Sequence, residues 1–453
     1  MNSWFAGQYR LVSMSLVRRI FQIALFRGAH KYVKILWITN TVFPEPSKAL
    51  GLPVPASGGW MYGLLEQIKK EKEIDIAVAT VYGGSDYVFF DICGVKYYLL
   101  PCDNNLRYNK SLERLWKEVF QSYMPDLVHI HGTEFPHGLA CIHSSKNEKF
   151  VVSIQGLVSV IERYYYAGIS LTGILKNITI RDVVKRDTII NAKNKFIKRG
   201  WYEKEYIKKA GNVIGRTEWD KAHTKAINKS VVYYHCEEIL RGEFYVAKKW
   251  NIKKIKRNTI FLSQATYPIK GLHQVLKAVA LIRDEYPDII INIAGKSIIK
   301  NDNIKDQIKI SGYGLYINRL IKKLQLNKHV TFKGLLTESE MRREYLASHI
   351  FICPSSIENS PNSIGEAQIL GVPTIAANVG GIQDMVKHGE TGMLYRFEEV
   401  EMLSEYIRMV FSDDSLAKKL SSQGIVSAEK RHDRVENSKK IIDIYKNIIN
   451  SAN

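Results

Sequence analysis

The chain of 453 residues lacks any C-x-x-C pair, and its five cysteines, at 93, 102, 141, 236 and 353, are scattered and odd in number. That argues against both a disulfide framework and a cysteine-built zinc site, so the thiols read as reduced and mostly buried in a cytosolic protein. No run of about 18 apolar residues occurs, so no membrane-spanning helix is expected. No Asp-x-Asp is present to hold Mg²⁺ or Mn²⁺, and no short-period repeat or low-complexity tract suggests a solenoid. RRM, KH, zinc-finger and helix-turn-helix signatures are missing as well, and the lysines form no single stripe with interleaved aromatics. Nucleic acid is therefore a poor partner, despite the charge.

What the sequence does have is positive charge and apolar content. The formal net charge is +20 and 45% of residues are hydrophobic. Lys and Arg are spread along the whole chain, which favours anionic partners such as a phosphorylated small molecule or an anionic membrane surface. Residues 1–30 contain no acidic side chain and interleave Arg10, Arg18, Arg19 and Arg27 with Leu, Ile and Phe. They read as a basic amphipathic segment for a membrane surface, or as a disordered leader. Arg18 and Arg19 interrupt the apolar run, which disfavours a signal peptide.

The length calls for more than one hydrophobic core. Compact apolar runs at 33–39, 74–80, 95–101, 127–132, 150–156 and 212–217 alternate with helical stretches, one of them from about Gly58 to Lys70. A second series follows at 259–264, 289–295, 329–334, 349–354 and 373–378. Strands alternating with helices predict parallel sheets covered on both faces. The expected fold class is α/β, with two Rossmann-like doubly wound domains facing across a cleft: an amino-terminal domain over 31–245 and a carboxyl-terminal domain over 258–430. The Lys-rich stretch 240–257 is the expected linker, and 431–453 a final helix packing back toward the amino-terminal domain.

Within "SSIENSPNSIGEAQILGVP" two glutamates, Glu358 and Glu366, stand eight positions apart, in the loop after a buried strand and in the helix that follows it. Loops at the carboxyl ends of such strands are where ligands bind. The start of that helix, near Ser363, offers free N–H groups and a positive dipole end, which suits a phosphate. A second reading makes Ser363-x-x-Glu366 a capping box, with Glu366 satisfying a backbone donor and binding nothing. Likewise, Glu358 could be a plain solvated loop carboxylate.

The whole stretch resembles the acidic E-x7-E signature of family 4 of the retaining glycosyltransferases, which share the two-domain GT-B fold. The likeness continues in order through "EAQILGVPTIAANVGGIQDMVKHGETGMLY" and upstream through "SQATYPIKGLHQVLKAV". The resemblance implies a retaining, metal-independent transfer of a sugar from a nucleotide-sugar donor, without cofactor. The acceptor would be a lipid-linked carrier or an oligosaccharide in bacterial surface polysaccharide biosynthesis: capsule, lipopolysaccharide or exopolysaccharide. Alternatives are a sugar-nucleotide epimerase of the related fold and a non-catalytic protein that binds anions or nucleic acid. The expected location is cytoplasmic, peripheral on the inner face of the membrane.

By that resemblance Lys270 meets the donor diphosphate, Glu358 faces the donor sugar, and Glu366 holds the ribose hydroxyls. Asn362, Ser363 and Ile364 would lie at the phosphate end of the helix. Two departures stand out. The family usually carries an Arg shortly before the Lys, where this chain has Ser263, Gln264 and Ala265; Arg216 is the candidate to replace it, or else it makes an interdomain salt bridge. The family's His after the strand "VVSI" is here Gln155, which cannot act as a base. His131 and Glu134 in "HIHGTEFPHG" are the nearby candidates, whereas His129 reads as a core residue. Gly58 and Gly59 match the family's Gly-Gly loop, where the backbone can approach the phosphates and the acceptor.

Overall fold

The computed structural model describes residues 32–54, 58–299 and 309–451; the basic leader lies outside the described residues. The first sheet is built from β1 (Val33–Thr39), β2 (Ile74–Tyr82), β3 (Val88–Ile92), β4 (Val95–Pro101), β5 (Leu127–His131), β6 (Phe150–Ser153), β7 (Asn212–Gly215) and β8 (Val232–His235). Its order is β3-β4-β2-β1-β5-β6-β7-β8. All pairs are parallel except the β3–β4 hairpin at one edge. That hairpin turns through Cys93 and Gly94, both at positive φ, as a tight two-residue turn requires.

The second sheet holds β9 (Thr259–Leu262), β10 (Ile290–Ile293), β11 (Val330–Phe332), β12 (Ile350–Cys353), β13 (Thr374–Ala377) and β14 (Met393–Tyr395), in the order β11-β10-β9-β12-β13-β14. Every pairing in it is parallel. Central strands such as β9, β12 and β13 are buried along their whole length, because helices cover both faces.

Two segments tie the domains together. The stretch expected as a linker crosses from β8 to β9 but is packed: Leu240, Phe244, Trp250 and Ile252 join the second domain's core. The Trp250 indole donates to the Ser348 carbonyl at 2.9 Å. The helix Arg434–Asn450 returns to the first domain, where Ile441, Ile444, Tyr445 and Ile448 join the core beneath β1 and β5. The Lys149 ammonium donates to the carbonyls of Ile448 and Ile449 at its carboxyl end, where the helix dipole favours a cation.

Candidate functional site

A concavity of about 720 Å³ opens at the carboxyl ends of β9, β10 and β12. Arg241, Gln264, Lys270, Glu358, Asn362 and Ser363 line it. Lys270 closes a short 3-10 turn, Pro268–Lys270, and Gly271 follows at φ +68°. A Cβ on Gly271 would stand 1.8 Å from the Pro354 carbonyl oxygen. Only glycine lets this loop lie against the end of β12 and bring Lys270 to the cavity.

The Lys270 ammonium meets Glu358 Oε1 at 2.5 Å, and Ser355 Oγ donates to the same oxygen at 2.8 Å. Glu358 is 16% exposed at its side chain, so it is not a solvated loop carboxylate. Burial works against the charge on Lys270, but the neighbouring Glu358 carboxylate outweighs it and holds the ammonium above the ordinary lysine range.

The helix Asn362–Leu370 begins one residue before Ser363, with Pro361 at the N-cap and no side-chain cap. The capping box is therefore not formed, and the Glu366 carboxylate is available for another partner. Arg241 grips it in a two-point fork, Nε to Oε1 and Nη2 to Oε2, each at 2.7 Å. The guanidinium also lies 4.7 Å over the Phe244 ring. Burial raises the affinity of Glu366 for a proton, and Arg241 pulls it back. Asn362 and Ser363 face the cavity, whereas Ile364 is buried and its amide donates to the Pro361 carbonyl at 3.0 Å.

Arg216 is placed elsewhere. Its Nη2 donates to the carbonyls of Ile154 and Gln155, and its Nη1 meets Glu238 at 2.5 Å. Glu238 in turn accepts from Asn362 Nδ2 at 2.8 Å. Of the two readings of Arg216, the geometry is that of a link in a chain between the domains. Arg241 is the arginine that reaches the cavity, and sequence reasoning missed it. It lies in an aperiodic stretch, 125 positions from Glu366, and no local pattern marks it.

On the amino-terminal side, Gly58 at φ +90° caps the helix Gly59–Ile68. A Cβ on Gly59 would come 2.8 Å from Arg241 Cγ, so the Gly-Gly turn packs against the arginine. In the middle of β5, His129 is satisfied in the core by Tyr445 and Ser153, each at 2.6 Å. His131 is 2% exposed, edge-on to Trp37 at 4.6 Å, and neither ring nitrogen is hydrogen-bonded. It borders a separate cavity of about 30 Å³ with Trp60, Gln155 and Arg216, room for about one water and too small for a sugar. Burial lowers its pKa to about 3, so the ring is neutral.

Two residues before Glu134, Gly132 sits at φ +98°, where a Cβ would also fall against the Glu134 carboxylate. Asn40 Nδ2 donates to Glu134 Oε2 at 3.0 Å. Burial, with Glu203 nearby, lifts the Glu134 pKa to about 7. Asn40 also borders a concavity of about 500 Å³ with Thr41, Ser47, Tyr82 and Asp103. Among the described residues no three His, Cys, Asp or Glu side chains converge as a metal site, and no helix is long and apolar enough to cross a membrane.

Residues 246–426 match the family model described as Glycosyl transferases group 1. Along its length the chain is similar to the sucrose-phosphate synthase of Thermosynechococcus elongatus, with TM-score 0.66, 15% identity, and 92% of this chain and 100% of that one covered. Anabaena Alr3699/HepE, solved with UDP-glucose, gives TM-score 0.62, 16% identity and coverage of 91% and 99%. Two Rossmann-like α/β domains arranged in this way define the GT-B fold. In sequence, the putative glycosyltransferase YtcC of Bacillus subtilis is 23% identical over 208 residues, 46% of this chain and 49% of that protein. The chain spans about half the length of the curated relatives it matches.

Proposed function

We propose that the protein is a retaining glycosyltransferase that moves a sugar from a nucleotide-sugar donor, held in the 720 Å³ cavity, to an acceptor at the amino-terminal domain. The observation that carries this reading is the two ion pairs at one cavity: Lys270 and Glu358 line it, and so does Arg241, which is forked to Glu366. Lys270, Glu358 and Glu366 lie within the segment that matches the family model, and Arg241 lies just before it. As the glycosidic bond breaks, positive charge grows on the sugar and negative charge on the diphosphate. Lys270 and Arg241 meet the diphosphate, with the helix start near Ser363. Arg241 thereby supplies the guanidinium that Gln264 lacks. Glu358 stabilises the cationic face of the sugar, and Glu366 takes the ribose hydroxyls.

The acceptor lies toward Asn40 and Glu134, and its proton passes to the leaving phosphate or to Glu134. A lipid-linked or oligosaccharide acceptor in bacterial surface polysaccharide assembly suits a basic protein at the inner face of the cytoplasmic membrane. Lys270 and Arg241 line the cavity proposed for the donor, and two protein cations there support a transfer that needs no metal. The test is a screen of UDP-, GDP-, ADP- and dTDP-sugars for nucleotide release, with and without EDTA, and with the anomeric configuration of the product read by NMR. Release from one donor class, unchanged by EDTA and with retained configuration, is the expected result. Turnover lost on chelation and restored by Mg²⁺ or Mn²⁺ overturns the metal-free mechanism.

A further inference from the structure

Residues 171–201 form a helical insertion between β6 and β7, comprising the helices Leu171–Leu175, Ile180–Lys185 and the start of Ile189–Ala210. It is amphipathic in the reverse sense of a solvent-facing helix. Asp182, 1% exposed, points inward, and its carboxylate accepts from the Gly312 amide at 2.7 Å. Thr179 Oγ1 donates to the Ile310 carbonyl, and Arg319 donates to the Lys176 carbonyl and to Asn177. These bonds fasten the insertion to the second domain. Ile174 and Ile189 pack into the core, but other apolar side chains turn outward: Ile180 is 80% exposed, Val184 77%, Val183 62% and Trp201 61%, with Leu171 and Leu175 also exposed.

Positive charge accompanies this apolar face. The insertion carries eight Lys and Arg side chains against Asp182 and Asp187 alone, and Asp182 is buried. A concavity of about 430 Å³ joins the insertion to the loop after β4; Arg107, Arg186, Lys195, Lys198 and Arg199 line it with three asparagines and no carboxylate. Asp187 reaches Lys195 at 3.3 Å, the one acidic partner for these five cations within ion-pair distance among the described residues. On the helix Ile189–Ala210 the cavity-lining Asn194 and Lys198 are one turn from Ile197 and Trp201, so cations and exposed apolar groups adjoin.

Exposed apolar side chains bordered by unneutralised cations fit an anionic bilayer, which takes the apolar groups below its headgroups and presents phosphates to the Lys and Arg side chains. We infer that the 171–201 insertion is a docking surface for an anionic phospholipid membrane, with Ile180, Val183, Val184 and Trp201 entering the bilayer and the Arg107–Arg186–Lys198 concavity receiving lipid phosphates. This deepens the membrane side of the proposed function, yet its test does not depend on sugar transfer.

The full chain is to be sedimented with phosphatidylcholine vesicles, neutral or containing phosphatidylglycerol, at rising salt. Strong binding to the anionic vesicles alone, released by salt, is expected. The triple variant Ile180→Ser, Val183→Ser, Val184→Ser and the charge variant Lys195→Glu, Lys198→Glu are each expected to lower the bound fraction at least fivefold, with an unchanged melting temperature. Nucleotide-sugar binding, followed in parallel, stays at the native level, so loss of one reading is visible apart from the other. Deletion of residues 1–30 serves as a control and is expected to leave most of the binding in place. The inference is overturned if both surface variants sediment as fully as the native chain, if neutral vesicles bind equally well, or if light scattering shows a dimer that the triple variant dissociates.

Discussion

The two sides of the cleft handle their charged groups in opposite ways. On the carboxyl-terminal side Lys270 is paired with Glu358 and Glu366 is forked by Arg241, so each buried charge has a counter-charge. On the amino-terminal side His131 has no hydrogen-bonding partner, and Glu134 has one amide and a pKa pushed up to about 7. A buried ion pair is tolerated because each partner offsets the other's lost hydration. Here the same pairs hold Lys270 and Arg241 in place at the cavity wall. Groups without an ion-pair partner are instead shifted toward their neutral forms: His131 is neutral at pH 7 and Glu134 titrates there, which suits them to packing or proton exchange and not to anchoring an anion.

Removing the lysine disturbs this contrast most. Lys270→Ala takes away a cation from the developing negative charge and leaves Glu358 without its partner. Turnover is expected to drop roughly 10²- to 10³-fold, with stability lowered by about 1–3 kcal/mol. Steady-state nucleotide release and thermal melting measure both. Native turnover in a folded Lys270→Ala protein removes the paired side from the donor site.

Glu134 gives an intermediate effect. With its pKa at about 7, it is protonated below that pH and becomes able to accept a proton above it. The kcat/KM profile is expected to fall as pH drops through 7, and Glu134→Gln is expected to remove that limb at a cost of about 10- to 100-fold in rate. The stability sign is the reverse. Between the ordinary carboxyl range and pH 7 the folded protein binds the proton that the unfolded chain has lost, so this group's contribution declines as pH rises and is gone above 7. Glu134→Gln melts are expected to depend less steeply on pH in that window.

His131 gives the smallest effect. It lies in a cavity of about 30 Å³, apart from the large one, so His131→Gln is expected to change turnover by less than about threefold. Its pKa is lowered to about 3, whereas the unfolded chain protonates near pH 6.5. Its contribution to stability is therefore intact above about 6.5 and is lost as pH falls toward 3. His131→Gln melts are expected to be less acid-sensitive, and a drop in turnover of a hundredfold or more would return the ring to the catalytic list.

The strands that run apolar through their whole length were legible in the sequence, because burial on both faces leaves no polar position to blur them. β1 falls on the expected residues, and β9, β10, β12 and β13 differ only by the loss of end residues. The edge strands β3, β8 and β14 were not foreseen: β8 is half-exposed along its length, and β14 spans three residues. Lys270, Glu358 and Glu366 could be picked out because they sit in local patterns. Arg241 could not, since its partner is 125 positions away and only the packed crossing between the domains brings the two together. The capping-box reading failed for a local reason, because Pro361 takes the N-cap and leaves Ser363 as the second residue of the helix.

The claim that Arg241 and Lys270 together form the cationic floor of a nucleotide-diphosphate site is tested most directly by calorimetric binding of UDP, GDP, ADP and dTDP, each against its nucleoside. Native protein is to be compared with Arg241→Gln and Lys270→Gln. The account expects one diphosphate to bind well above its nucleoside, with each variant losing about tenfold or more of that preference, since a charged hydrogen bond contributes roughly 1.5–3 kcal/mol. Diphosphate binding as tight in Arg241→Gln as in the native protein, with the fold intact, would contradict it.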